Sequence, residues 1–110
     1  MFKVAITGTG VFTPPDAIRN DELVVAFNAY PDRVNAANAE AIAAGSVEPI
    51  PHSSSEFIFK ASGIESRYVM DKSGVLDPAR MYPAFRQRSD DEPGIMAEMA
   101  LRACETALAN

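Results

Sequence analysis

Apolar and polar positions change rhythm several times along this chain, and each change marks an element. In Phe2-Lys3-Val4-Ala5-Ile6-Thr7, Val4 and Ile6 alternate with Lys3 and Ala5 and end at glycines, which predicts a strand with an apolar face. Further on the spacing lengthens. Leu23, Phe27, Tyr30, Val34, Ala37 and Ala41 recur at steps of three and four, the stripe of a long helix. Asn20 is placed as its N-cap, with Asp21 and Glu22 in the first turn, where the helix dipole favours anions. Pro31 interrupts the pattern: the helix either kinks there or divides, with Pro31 in the first turn of the second piece. Gly45 is a natural stop. The run Ala36 to Ala44 favours helix but carries little bulk, so it packs weakly at the surface.

Ser46 to Ser55, with Pro49, Pro51 and a serine run, reads as a loop. Ser53-Ser54-Ser55-Glu56 caps a short helix, Glu56 to Ala61, that runs into Gly63. A helix of that length cannot bury Phe57, Ile58 and Phe59 on one side, so one of the three points elsewhere. Gly63 turns the chain into a strand in which Ile64, Ser66, Tyr68 and Met70 share one face and Glu65, Arg67 and Val69 the other. Glu65 and Arg67 are placed to pair. Asp71 to Asp91 is irregular, with Gly74, Pro78 and Pro83 and a helical turn around Pro78 to Tyr82; such long loops are functional or packed on another part of a protein. A last helix starts at Pro93 behind Asp90, Asp91 and Glu92 and reaches about Ala109. Its stripe is Met96, Met99, Ala100, Ala103 and Ala107, with Glu98 and Arg102 as an outer pair.

Composition narrows the function. At 110 residues the chain is at most one small domain, with a thin stability margin by itself. A net charge of -5 and a pI near 4.7 exclude nucleic acid as the main partner, because phosphate binding needs a basic surface. A local basic patch for a phosphate-bearing cofactor is still compatible with that balance. One cysteine, Cys104, excludes an internal disulfide and a cysteine metal cluster. The first apolar run breaks at Thr7-Gly8-Thr9-Gly10, unlike a secretion signal, and Leu23 to Phe27 is far short of the ~20 residues of a membrane helix. A cytoplasmic location is the expectation.

The candidate chemistry is sparse. Gly8-Thr9-Gly10 has the look of a dinucleotide fingerprint, but Thr13 stands at the third glycine position and Pro14-Pro15 blocks the helix that would meet a pyrophosphate. It reads as a tight turn and an extended exit loop. Cys104, among Ala100, Ala103 and Ala107, lacks a cation or helix N-terminus to lower its pKa and reads as a buried small hydrophobe. His52 lies in a loop, where an imidazole is usually only solvated. A nucleophile, its base and an oxyanion donor cannot be assembled from these residues. Arg80, Arg86 and Arg88 flank Met81-Tyr82-Pro83-Ala84-Phe85, either a docking surface for an acidic carrier protein or coenzyme A phosphate, or a solvated face balancing Asp90, Asp91 and Glu92.

Taken in order, Ala5-Ile6-Thr7-Gly8-Thr9-Gly10-Val11-Phe12-Thr13-Pro14-Pro15, Gly63-Ile64-x-x-Arg67-Tyr68 and the acidic start of a Met- and Ala-rich helix resemble a family. It is the β-ketoacyl-acyl carrier protein synthase III enzymes, condensing enzymes of the thiolase superfamily. The resemblance runs from Lys3 to Asn110, with an insertion at about 30–51. It implies an α/β fold: the N-terminal part of a thiolase-like αβαβα arrangement, incomplete in this chain. It implies an acyltransferase of fatty acid biosynthesis that condenses an acyl-coenzyme A with malonyl-acyl carrier protein, without a permanently bound cofactor or metal, as a homodimer. The family's nucleophilic cysteine, histidine and asparagine lie beyond the matched segment, so no catalytic residue is assigned here. In the family pattern a tryptophan on the short helix before the Gly-Ile turn stacks on the adenine of coenzyme A, and Phe57 falls at its place. The family's arginine four residues on is Ala61 here, and Lys60 beside it is the substitute contact. The alternatives are a non-catalytic acidic binding module, and another thiolase-superfamily enzyme, one joining two acyl chains or making a quinolone.

Overall fold

A computed structural model describes residues 1–110 and divides them into two compact units. One is residues 15–85; the other joins 1–14 to 86–110.

The 15–85 unit is built on a two-stranded antiparallel sheet, β1 (Asp16–Arg19) against β2 (Ser66–Val69). The register pairs Asp16 with Val69, Ala17 with Tyr68, Ile18 with Arg67 and Arg19 with Ser66. Residues opposite one another share a face, so Asp16, Ile18, Arg67 and Val69 turn inward. Ile18 is fully buried, whereas Tyr68 on the other face is 63% exposed. Helix α1 (Asn20–Ala37) leaves β1 without a loop and runs through the buried Pro31 before ending at Asn38. It neither stops nor divides at the proline; the break falls seven residues later, where α2 (Ala39–Ala43) begins. No residue of α2 is buried, as the alanine run predicts, and Gly45, at a φ of 73°, closes it. Helix α3 (Ser55–Ser62) is capped by Ser54 Oγ, which accepts from the Phe57 amide at 3.1 Å, and ends at Gly63 with a φ of 70°. Helix α4 (Lys72–Leu76) follows β2 and is capped by Asp71.

Three expectations change here. Asn20 is the first residue of α1, not its cap, because Arg19 is still in extended sheet geometry. The Arg19 amide donates to Glu22 Oε2 at 2.9 Å; that bond, with Lys72 Nζ 2.5 Å from Glu22 Oε1, holds the Glu22 carboxyl below its usual range. Arg67 does not pair with Glu65: its Nη2 donates to Asn20 Oδ1 at 2.6 Å, and Asn20 Nδ2 donates to the Ile64 carbonyl at 2.7 Å. β1 and α4 lie in stretches read from the sequence as irregular. Asp71 accepts from the amides of Ser73, Gly74 and Ala84, and these bonds, with the Ser73 hydroxyl foremost, hold its carboxyl low.

In the other unit, α5 (Ile95–Ala109) lies against the extended segment 1–14. Gly8 and Gly10 make this approach possible: a Cβ at either would overlap the carbonyl oxygen of Ala107 or Ala103. Residues 2–7, expected as a strand, form no ladder, and Phe2, Val4 and Ile6 are 98, 93 and 88% exposed. Their alternation is sound for a strand, but a strand needs a neighbour and none is present. Cys104, expected to be buried, is exposed, and so are Met96 and Ala100; the half-buried residues of α5 are Ile95, Glu98, Met99, Ala103 and Ala107.

Candidate functional site

The clearest recess in the 15–85 unit lies between α1 and α3. Leu23, Val24 and Phe27 form one wall, Phe57 and Ile58 the other, and Ser53 closes one end of a cleft of about 330 Å³. A second recess of about 340 Å³ shares Phe27, Ser53 and Phe57 and reaches Pro51 and His52. Both are walled largely by apolar side chains. A larger hollow on the other side of α3, about 520 Å³, is lined by Arg19, Asn20, Asp21, Ser55, Glu56, Phe59 and Glu65. Its three carboxylates repel an anionic ligand, so the apolar cleft is the better candidate for a phosphate-bearing molecule with a flat apolar end.

Phe57 stands at the cleft with 64% of its surface exposed, and Phe59 with 48% faces the polar hollow. Ile58 is the half-buried member of the trio, so two of the three point elsewhere. An aromatic ring held on a capped helix with a free face can stack on a heteroaromatic base. Lys60 lies one turn on, near enough on the helix surface to act beside Phe57. Its Nζ sits 3.3 Å from Glu56 Oε1, an exposed pair worth little, so the ammonium is available to an incoming phosphate.

Of the other singled-out residues, His52 reaches the second recess and the arginines do not join the site. His52 Nε2 lies 2.6 Å from Asp32 Oδ1, so the imidazole is not merely solvated. The loop arginines are tied to their own surroundings. Arg80 bonds the Tyr82 carbonyl at 3.2 Å and covers the Tyr82 ring at 4.3 Å. Arg86 pairs with Glu92, whose carboxyl it holds down to about 2 together with the Ser89 amide, and the pair raises Arg86 in turn. Arg88 reaches Glu98 at 2.5 Å, and Glu98 also accepts from Arg102 at 2.8 Å, as its helix spacing predicts; Arg88 is the main cause of the lowered Glu98 carboxyl. Arg86 and Arg88 are thus balanced by carboxylates of their own unit, whereas Arg80 has only carbonyls and the Tyr82 ring. No group of three or more metal-ligating side chains is assembled anywhere, and no helix is long and apolar enough to cross a membrane.

Sequence reasoning missed a set of side chains behind the cleft. Asn28 Nδ2 donates to the Ser53 carbonyl at 3.0 Å while its Oδ1 accepts from the Ser53 amide at 2.9 Å. Asn35 does the same with Ile50, at 2.9 and 2.8 Å. Asp32 lies between them on the same helical face, with His52. Asn28, Asp32 and Asn35 recur at steps of four and three, which places them on one helical face, but that spacing does not say what the face meets.

With this geometry in place, similarity to known proteins points in one direction. The chain is similar to the N-terminal part of a condensing enzyme of the thiolase superfamily. That relative is the beta-ketodecanoyl-[acyl-carrier-protein] synthase of Pseudomonas aeruginosa, 52% identical over 82 residues. The match takes in 74% of this chain and 23% of the relative, so the chain spans about a quarter of that protein's length. No protein-family profile matches the chain.

Proposed function

We propose that this chain is the N-terminal segment of a 3-oxoacyl-acyl carrier protein synthase III-like enzyme with a thiolase-like fold, and that α3 lines its coenzyme A entrance. The 52% identity to a condensing enzyme carries the reading. In the whole enzyme a cysteine thiolate outside this segment attacks the acyl-coenzyme A thioester carbonyl and expels the coenzyme A thiol. Malonyl-acyl carrier protein then loses carbon dioxide, and its enolate carbon attacks the acyl-enzyme carbonyl. The 3-ketoacyl product leaves on the carrier protein and the cysteine thiolate is restored. A histidine and an asparagine, also outside the segment, stabilise the enolate oxygen by preorganised hydrogen bonds. The same reading expects a cytoplasmic homodimer. Because malonyl condensation adds two carbons, a β-ketodecanoyl product comes from an eight-carbon acyl donor, and octanoyl-coenzyme A is the first substrate to assay.

Two features of the chain support a segment that packs on further protein. The Phe2, Val4 and Ile6 face has no partner strand. Val11 and Leu108 are likewise 79 and 88% exposed. Phe57 tests the coenzyme A role. In the full-length enzyme, Phe57→Ala raises KM for the acyl-coenzyme A about five- to tenfold, the loss of ~1–1.4 kcal/mol of stacking, and leaves kcat within about twofold. Phe57→Trp restores or lowers KM. An unchanged KM in Phe57→Ala defeats the assignment.

A further inference from the structure

We propose that Asn28 and Asn35 are positioning residues: their carboxamides act as a helix-borne edge that straps residues 50–53 against α1 and thereby aims α3 and Phe57. The proposal rests on the coenzyme A reading of α3 for its functional half, and on hydrogen bonds alone for its structural half.

A backbone segment in a loop has amides and carbonyls that need partners, and a strand edge normally supplies them in pairs. Here α1 supplies them. A primary carboxamide is the one uncharged side-chain group that offers an N–H donor and a C=O acceptor side by side. Asn28 presents both to Ser53, with bonds of 3.0 and 2.9 Å, and Asn35 presents both to Ile50, at 2.9 and 2.8 Å. Residues 28, 32 and 35 lie on one face of a 3.6-residue helix, so the contacts form one line along α1. Asp32, between the amides, holds His52 at 2.6 Å. Together the three fix the strap at Ile50, His52 and Ser53.

The consequence falls on α3. Ser53 is one residue before Ser54, which caps the helix by accepting from the Phe57 amide. Phe57 is therefore joined to the clamp through a cap and a single peptide, with no flexible residue between. The opposite end of α3 is fixed by the left-handed Gly63 and by the Asn20 bond to the Ile64 carbonyl. Both asparagines are half-buried and neither lines the cleft, so they act on a ligand through the pose of α3.

The test uses the full-length enzyme with Asn28→Ala, Asn35→Ala, Asn28→Asp and Phe57→Ala, read by amide hydrogen exchange and by steady-state kinetics with octanoyl-coenzyme A. Asn28→Asp keeps the acceptor for the Ser53 amide and loses the donor to its carbonyl, so it should fall between wild type and Asn28→Ala. The expected result is exchange across residues 55–62 about three- to tenfold faster in the alanine variants, the loss of a net hydrogen bond, with β1 and β2 unchanged. KM rises by a similar factor while kcat stays within about twofold. Unchanged exchange in α3 in both alanine variants overturns the clamp, whatever the kinetics show. Faster exchange with KM unchanged in these variants and in Phe57→Ala supports the clamp and overturns the coenzyme A reading. Loss of folding in an alanine variant moves the decision to Asn28→Asp, where unchanged α3 exchange overturns the clamp.

Discussion

At the scale of single residues, the polar side chains do more positioning than the pattern of charges discloses. Asn20 is read from the sequence as a cap, yet it is buried and joins Arg67 to the Ile64 carbonyl, fastening α1 to the turn before β2. Glu92 shows how such contacts become pH dependence. Arg86 and the Ser89 amide lower its carboxyl from 4.5 to about 2, so its contribution to folding is fully present above pH 4.5 and lost as pH falls through about 2. NMR titration should place the Glu92 carboxyl well below its ordinary value, and Glu92→Gln should remove that titration and loosen the Arg86–Glu92 turn at neutral pH. A midpoint near 4.5 would show the pair to be absent in solution. Phe57 is marked by the family resemblance, at the place of a stacking tryptophan; the run Phe57-Ile58-Phe59 by itself says only that one of the three points elsewhere. The asparagine clamp was not legible, because nothing in a sequence tells an amide that faces a loop from one that faces water.

At the scale of elements, local chemistry set α1, α3, α5 and β2, and missed β1 and α4. α3 falls within one residue of its expected bounds, since a serine cap and a glycine stop are contained within the segment itself. Gly63→Ala puts a Cβ on a residue with a φ of 70° and should cost about 1–2 kcal/mol in a urea unfolding measurement. Gly10 tests a different constraint, close approach. A methyl group there overlaps the Ala103 carbonyl and the Ala107 backbone, so Gly10→Ala should lift the 1–14 segment from α5 and speed proteolysis within it. Protease resistance equal to wild type would mean that the approach is not maintained in solution. β1 escaped notice because Asp16-Ala17-Ile18-Arg19 is a single turn of alternation beside two prolines, too short to register until β2 pairs with it. Residues 2–7 went the other way: a clear strand pattern with no neighbour to hydrogen-bond.

At the scale of the whole molecule, the outstanding property is apolar surface left uncovered. Only Ile18 and Ala26 are buried apolar residues other than proline and glycine, while Phe2, Val4, Ile6, Val11, Val25 and Leu108 are each at least 75% exposed. The 1–110 polypeptide produced by itself should therefore bind a hydrophobic dye and associate with rising concentration, as proteins with exposed apolar surface do. A compact, cooperatively melting monomer would instead favour a free-standing acidic binding module. Intact mass of the protein from its native source gives an independent answer: about 11.8 kDa fits the module, and roughly three times as much fits the condensing enzyme. What the sequence determined by itself was local: helix periods, the serine cap of α3, the stops at Gly45 and Gly63, and an ordered set of motifs that resembles one enzyme family. Those features depend on residues a few positions apart, so they are present in any stretch of the chain. Tertiary structure alone decided the pairing of β1 with β2, the turning of Arg67 away from Glu65, the exposure of Cys104 and the strap over α1. Each depends on groups brought together from 15 to 53 positions apart or on a partner that is missing, and no local pattern encodes such contacts.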